Sequence, residues 1–316
     1  MKEKITIVVP CYNEQEALPY FYPEFVKVSE LMSEQDFELL LVDDGSKDGT
    51  LNYIKELASK DERVKYISFS RNFGKESAIY AGLKNASGDY VTLMDADLQD
   101  PPSLLPEMFK AIKEEGYDSV ATRRVTRKGE PPIRSFFARK FYKIMNKISD
   151  AELVDGARDY RLMTRKVVNA VLSMSEYNRF TKGIFGWVGF KTKWLEYENI
   201  ERVSGETKWS FFKLLKYAIS GIIAFSNAPL KIATGFGIFF TFASFFGAIA
   251  TLIVDLCGIG VSPFLYLGEG IGFVSGLIML LLGILGEYVA KIHLEVKNRP
   301  VYICQDTNIN NQENNK

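Results

Sequence analysis

The stretch Tyr90-Val91-Thr92-Leu93-Met94-Asp95-Ala96-Asp97-Leu98-Gln99-Asp100-Pro101-Pro102 decides how the rest of the chain is read. It opens as a short apolar run, Tyr90–Met94, the pattern of a buried strand. It ends in two acids one residue apart, which a strand period of two would point the same way. Like charges so placed repel, and are tolerable mainly when a divalent cation sits between them and a substrate. Hard oxygen ligands suit Mg2+ or Mn2+, ions that keep waters and bridge phosphates. Asp95 and Asp97 are therefore candidate metal ligands, and Gln99 would add a neutral oxygen.

Upstream the same unit recurs. Ile5–Val9, Phe37–Val42 and Val64–Phe69 are short apolar runs, as strands buried on both faces of a parallel sheet would be. Glu14–Glu34, Thr50–Ser59, Lys75–Ala86 and Ser103–Glu115 read as helices, and Ser119–Thr122 as a fifth strand. Such alternation predicts right-handed crossovers in an open α/β sheet, with ligands beyond the carboxyl ends of the strands. Those ends carry Pro10–Glu14, Asp43–Thr50, Ser70–Lys75 and Asp95–Pro102, which would converge on one rim. Asp48-Gly49-Thr50 reads as a turn and helix cap.

Composition removes several classes of chemistry. Lys plus Arg and Asp plus Glu are 39 each, so no net field favours nucleic acid. One histidine, His293, and three cysteines without paired spacing exclude a Cys/His zinc site, a disulfide scaffold and a Ser–His–Asp hydrolase. The glycine-rich phosphate loops of ATPases and dinucleotide enzymes are absent. Carboxylates, cations and backbone must run the chemistry.

Ile232–Val254 holds no charge, and Phe264–Tyr288 has acids only near its ends, Glu269 and Glu287. Each is long enough to cross a hydrocarbon layer, which takes roughly 20 apolar residues. Lys208, Lys213, Lys216 and Lys231 precede the first run; Lys291, Lys297 and Arg299 follow the second. The positive-inside bias then sets both flanks in the cytoplasm. The reading is a catalytic domain over 1–205, a membrane-surface segment over 206–231, and a hairpin over 232–290 with spans at 232–254 and 264–288. A cytoplasmic tail, 291–316, would follow, disordered from the Asn-rich Asp306 onward. Within 131–149, Phe137, Phe141 and Ile144 share a helical face with Phe136 and Lys140 beside it, in a stretch that also holds Arg134 and Arg139, cations suited to meeting phosphate at a bilayer surface.

The combination of motifs resembles family 2 glycosyltransferases of the GT-A nucleotide-sugar fold, most closely bacterial polyprenyl-phosphate glucosyltransferases and more distantly dolichol-phosphate mannose synthases. It rests on Pro10–Glu14, Val42–Ser46, Asn72–Lys75, Asp95–Pro102, Asp159–Met163 and Gly205–Ser210, and extends through both apolar runs. The resemblance implies that Pro10, Tyr12, Asn13, Glu14, Asp44 and Lys75 bind the donor, that Asp95 and Asp97 handle metal and diphosphate, and that Arg123 is a cation near the phosphates. It sets Asp159 beside the sugar, as a base or an orienting group, and Lys208 as a further cation of the site.

The implied reaction moves a hexose, from UDP-glucose in the best match, to polyprenyl phosphate at the cytoplasmic face of a bacterial inner membrane. A phosphate monoester is largely dianionic near neutral pH, with a second pKa of about 6, so no strong base is required. One displacement implies inversion at the anomeric carbon. UDP-N-acetylglucosamine or GDP-mannose as donor, a processive polysaccharide synthase, and a non-catalytic nucleotide-sugar binder are the alternatives. A homo-oligomer, with a tetramer among its forms, and a separate flippase for the product complete the expectation.

Overall fold

The structure is a computed structural model that describes residues 2–124, 154, 156–174, 176, 177, 179–197 and 263–309, with isolated positions between 236 and 253. Its packing forms two units, residues 1–216 with 300–316, and residues 217–299.

In the first unit β1 (Lys4–Cys11), β2 (Asp36–Asp43), β3 (Val64–Phe69), β4 (Tyr90–Leu93) and β5 (Ser119–Arg124) alternate with α1 (Leu18–Leu31), α2 (Thr50–Lys60), α3 (Lys75–Asn85) and α4 (Leu105–Glu115). Then come β6 (Ala157–Thr164), α5 (Arg165–Ser173), α6 (Thr181–Trp187) and β7 (Thr192–Tyr197), and near the chain's end β8 (Cys304–Thr307). One eight-stranded sheet results, in the order β7-β5-β6-β4-β1-β2-β3-β8. β1 pairs parallel with β2 and β4, and β2 with β3. Strand order reverses between β1 and β4, which opens a crevice at their carboxyl ends.

Burial on both faces explains the apolar runs. Ile5, Ile7, Val9, Leu39 and Leu41 pack in one cluster with Phe21 and Phe25 of α1 and Leu105 and Met108 of α4. On the other face α3 sits directly on the sheet: a Cβ at Gly82 would fall 2.1 Å from Val8 Cγ1, so glycine permits the close approach.

The sheet is mixed, a departure from the all-parallel pattern of the first strands. β6 runs antiparallel between β4 and β5, and β8 antiparallel on β3. β6 alternates, Tyr160 and Leu162 fully buried in the cluster and Asp159 on the opposite face, so its signature is half apolar. β8 has no apolar pattern at all. It holds its edge position by polar bonds: Tyr66 N donates to Asn308 Oδ1 at 2.8 Å, and Thr307 Oγ1 to Tyr66 O at 2.6 Å. Asp306–Ile309, expected to be disordered, is thus ordered by the same polar side chains that lowered its hydropathy.

A second correction concerns the two acids. β4 stops at Leu93 and the chain turns at Ala96 and Asp97, with Leu98 at φ 53. Strand alternation therefore does not set Asp95 and Asp97 side by side; a turn carries them.

The second unit contains α7 (Pro263–Val296), a helix of 34 residues. Among the described residues no helix is long and apolar enough to cross a membrane. Several side chains between 263 and 279 of α7 are not among those described. The described ones include exposed apolar residues on opposite sides, such as Ile278 and Leu280. Positions 236, 239, 246, 249 and 253 are helical. The rest of the predicted span 232–254, the surface segment 206–231 and the helix 131–149 lie outside the described residues, with Arg134, Arg139, Lys140 and Lys208.

Candidate active site

The ends of β1 and β2 are stitched together by their own turn residues. Asn13, at φ 54, donates its N–H to Ser46 Oγ at 2.9 Å, and its Oδ1 accepts from Lys47 N at 2.8 Å. Glu14 N donates to Thr50 Oγ1 at 2.9 Å. Pro10 lies opposite Val42 in the sheet, and Tyr12 follows half-buried. The residues predicted to hold the donor's nucleotide thus sit on two adjoining strand ends.

Asp44, itself buried, ties a third strand end to this pair. Its carboxylate accepts from Phe73 N at 2.6 Å and Gly74 N at 2.9 Å. Burial raises its pKa to about 6, more than those two bonds lower it. Gly45 allows the contact: at φ 65, a Cβ there would be 2.4 Å from the Arg71 carbonyl carbon, so loop 70–74 rests on the Asp44–Gly45 backbone.

The loop delivers Lys75 to the centre of the rim. Lys75 Nζ meets Asp95 Oδ1 at 2.7 Å and Asp159 Oδ2 at 2.6 Å. The sheet explains why these two acids face each other. β4 and β6 pair up to Leu93↔Arg161, and Asp95 and Asp159 follow two residues beyond that last pair, near enough to share one ammonium. Burial opposes the lysine's charge, but the two carboxylates outweigh it and hold its pKa well above the usual range. Burial likewise pushes Asp159 up, and the ammoniums of Lys75 and Lys182 outweigh that and hold it well below. Lys182 Nζ stands 3.8 Å from Asp159 Oδ1 and donates to Ala157 O at 3.0 Å.

Beside this cluster Gln99 takes a different part from the one expected. Its Oε1 accepts from Arg124 at 3.0 Å and Arg158 at 3.4 Å, so a metal there would face two guanidiniums. Arg158 also donates to Asp100 at 2.9 Å, and Tyr197 donates to the same carboxylate. Asp97 Oδ1 accepts from Gln99 N at 3.2 Å, an Asx turn that closes the segment. Arg123 is bonded to Glu196 on the neighbouring strand β7. Arg124 Nε is buried with no hydrogen-bond partner among the described residues, a donor left over beside the acidic turn.

Lys182, Arg158 and Asp100 do not stand out in the sequence. Asp100 and Arg158 lie inside or next to the motifs of the rim, and an acid and a cation flanking candidate ligands are the available signal. Nothing local marks Lys182; α6 reaches the rim because Glu76, in the first turn of α3, accepts from Thr181 N at 2.9 Å and from its hydroxyl.

The donor set fits a divalent ion in part. Among the described residues no group of three or more His, Cys, Asp or Glu could hold a metal. Asp95 and Asp97 supply hard oxygens on one turn, with Asp95 paired to Lys75, a donor set that suits an ion taking most of its ligands from phosphates and water and not one needing a protein cage.

Residues 6–172 match the family model described as glycosyl transferase family 2. The chain belongs to glycosyltransferase family 2. As a family member it is a glycosyltransferase on a GT-A-like α/β sheet. It is 44% identical over 310 residues to the putative glycosyltransferase CsbB of Bacillus subtilis, covering 98% of this chain and 93% of that one. It is 40% identical over 303 residues to a prophage bactoprenol glucosyl transferase homolog of Escherichia coli, covering 96% and 98%. A bactoprenol glucosyl transferase of Shigella phage SfII is 40% identical over 310 residues, covering 98% and 99%. Among solved structures, the chain is similar to glucosyl-3-phosphoglycerate synthase of Mycobacterium tuberculosis, with TM-score 0.47 and 18% identity over 70% of this chain and 78% of that one. At that level neither ligand nor activity carries across.

Proposed function

We propose that the protein transfers glucose from UDP-glucose to polyprenyl phosphate at the cytoplasmic face of a bacterial inner membrane. The near full-length identity to bactoprenol glucosyl transferases supports the acceptor and the sugar. One observation carries the chemistry: Lys75 and Lys182 converge on Asp159 beside the acidic turn, at the crevice where strand order reverses.

The reaction must bring two anions together and stabilise a departing diphosphate. The rim supplies cations on rigid elements, Lys75 at the start of α3, Lys182 on α6 and Arg124 at the end of β5. Fixed charge of this kind needs no reorganisation as negative charge develops. Asp159, gripped by two ammoniums, is a poor proton acceptor; it orients the lysines, while the acceptor phosphate acts as its own nucleophile. Mg2+ or Mn2+ held by Asp95 and Asp97 would neutralise the leaving diphosphate as a Lewis acid. One displacement gives inversion.

The membrane reading rests on the apolar runs Ile232–Val254 and Phe264–Tyr288 of the sequence, although the described part of α7 does not by itself qualify as a span. α7, at 1.5 Å per residue, is about 50 Å long, more than a hydrocarbon layer of about 30 Å. Its exposed apolar residues, among them Phe264, Leu267, Leu282 and Leu285, have no water-side rationale. A polyprenyl tail stays in the bilayer at roughly 0.8 kcal/mol per buried CH2, and the hairpin holds the enzyme where that phosphate is. The product leaves through a separate flippase, and the protein works as a homo-oligomer.

The test is transfer itself. Purified full-length protein in nanodiscs, with undecaprenyl phosphate, Mn2+ and UDP-glucose, should yield a glucosyl phospholipid by mass spectrometry, and Asp97→Asn should not. Absence of a sugar-bearing lipid with UDP-glucose, UDP-N-acetylglucosamine and GDP-mannose alike would sink the proposal.

A further inference from the structure

The tail that follows α7 returns to the sheet at the foot of loop 70–74. Tyr302 stacks on Phe69 with ring centroids 4.8 Å apart and 22° between planes, and its hydroxyl accepts from Asn85 Nδ2 at 3.2 Å. Tyr80 of α3 meets the same ring at 6.5 Å. Phe69 in turn meets Phe73 edge-on at 5.8 Å. One residue beyond Tyr302, the Ile303 carbonyl accepts from Ser70 N at 3.0 Å. Lys55 pairs with Asp306 at 2.5 Å, which pins the tail farther along.

These contacts matter because the loop's own side chains bury little, and its middle is held only where the Arg71–Asn72 backbone rests on Gly45. Ser70, Arg71 and Asn72 are exposed, so burial does not position them. The loop is fastened at its start by Tyr302 and Ile303, and at its end by the bonds of Phe73 and Gly74 to Asp44. Lys75 follows at once and reaches Asp95 and Asp159. A shift at Phe69 would reach Phe73 through their ring contact, and Phe73 N is bonded to Asp44 two residues before Lys75.

We propose that Tyr302 is a positioning residue of the donor site: it sets loop 70–75, and through it Asp44 and Lys75, without touching the donor. The proposal rests on the transfer reaction above for its functional meaning, but its structural claim is separable. A segment read from sequence as a cytoplasmic tail becomes part of the catalytic domain's working surface.

Hydrogen exchange by mass spectrometry on the ligand-free full chain needs no activity. Tyr302→Ala is expected to speed exchange of the amides of residues 70–75 by about tenfold, the scale of losing two aromatic contacts, while residues 36–43 keep their protection. Tyr302→Phe, which keeps the stack, should stay within about twofold of wild type. Tyr302→Leu fills the space without stacking and serves where the alanine variant does not fold. In the transfer assay the donor KM should rise by about tenfold in Tyr302→Ala or Tyr302→Leu, with the polyprenyl phosphate KM moved less than about twofold. Unchanged exchange at 70–75, equal loss of protection at 36–43, or equal rises in both KM values would overturn the proposal. If wild type transfers no sugar, that result counts against the transfer reading alone, and the exchange data still decide Tyr302.

Discussion

Lys75→Met replaces an ammonium with an uncharged chain of similar length. In the wild type the ammonium bonds Asp95 at 2.7 Å and Asp159 at 2.6 Å, with 38% of its side chain exposed. Hydrogen bonds between charged groups contribute about 1.5–3 kcal/mol each. At this exposure water and salt return much of that, so the two together are set at ~2 kcal/mol. Denaturant unfolding should show this loss, with a fall in Tm of about 4–8 °C. For a divalent cation the sign reverses. In the wild type a metal approaching Asp95 must displace or share space with the ammonium, and methionine removes that competitor. The Asp95 share of the loss, ~1 kcal/mol, corresponds to about fivefold tighter Mn2+ binding to the donor-free protein. Calorimetric titration with Mn2+ reads this directly. Turnover should fall about 100-fold or more over the same substitution, the scale of removing one preorganised donor. Mn2+ affinity unchanged or weakened in Lys75→Met would refute the placement of Lys75 as resident cation of Asp95.

Three further outcomes follow from the same geometry. Asp159→Asn should lower kcat without moving the acid limb of the rate profile, where the acceptor phosphate and Asp44 both titrate at about 6; a limb that disappears in the variant would make Asp159 the base. Because the folded-state pKa of Asp159 is depressed, its stabilising effect is complete above about pH 4 and is lost only as pH falls below that. Asp100→Ala leaves the Arg158 guanidinium, 21% exposed, without its carboxylate and takes the acceptor from Tyr197; a loss of ~3 kcal/mol is expected in denaturant unfolding, and under ~1 kcal/mol would sink the pairing. Gly45→Ala must combine φ 65 with a Cβ 2.4 Å from backbone, whereas Gly116→Ala, at φ 69, meets nothing within 4 Å. The first should cost ~3 kcal/mol and the second ~1 kcal/mol; equal costs would remove the close approach of loop 70–74 to the Asp44 turn.

Much of the rim is legible in the sequence. Ile5–Val9 and Phe37–Val42 are apolar at almost every position because both faces are covered, and that signature is local. The polar segments after them can then only lie at one edge, which brings Pro10–Glu14, Asp44, Lys75 and Asp95 into one neighbourhood. The acidic pair is legible for a partly mistaken reason, since Asp95 and Asp97 leave a turn and not a strand. The part of Gln99 is not legible, because an amide oxygen gives no hint of which cation it will meet, and here two arginines reach it.

What the sequence determined by itself was the set of chemical groups and the parallel half of the sheet, because helix and strand periods are written in neighbouring residues. The tertiary structure alone decided that Asp159 stands opposite Asp95, that Lys75 and Lys182 close on it, and that Tyr302 braces the loop between. Those facts depend on the register of β6 against β4 and on an edge strand held by backbone bonds and polar side chains. Register across a long chain separation is selected by packing the whole domain, and backbone bonding at an edge is open to almost any residue, so neither leaves a local mark.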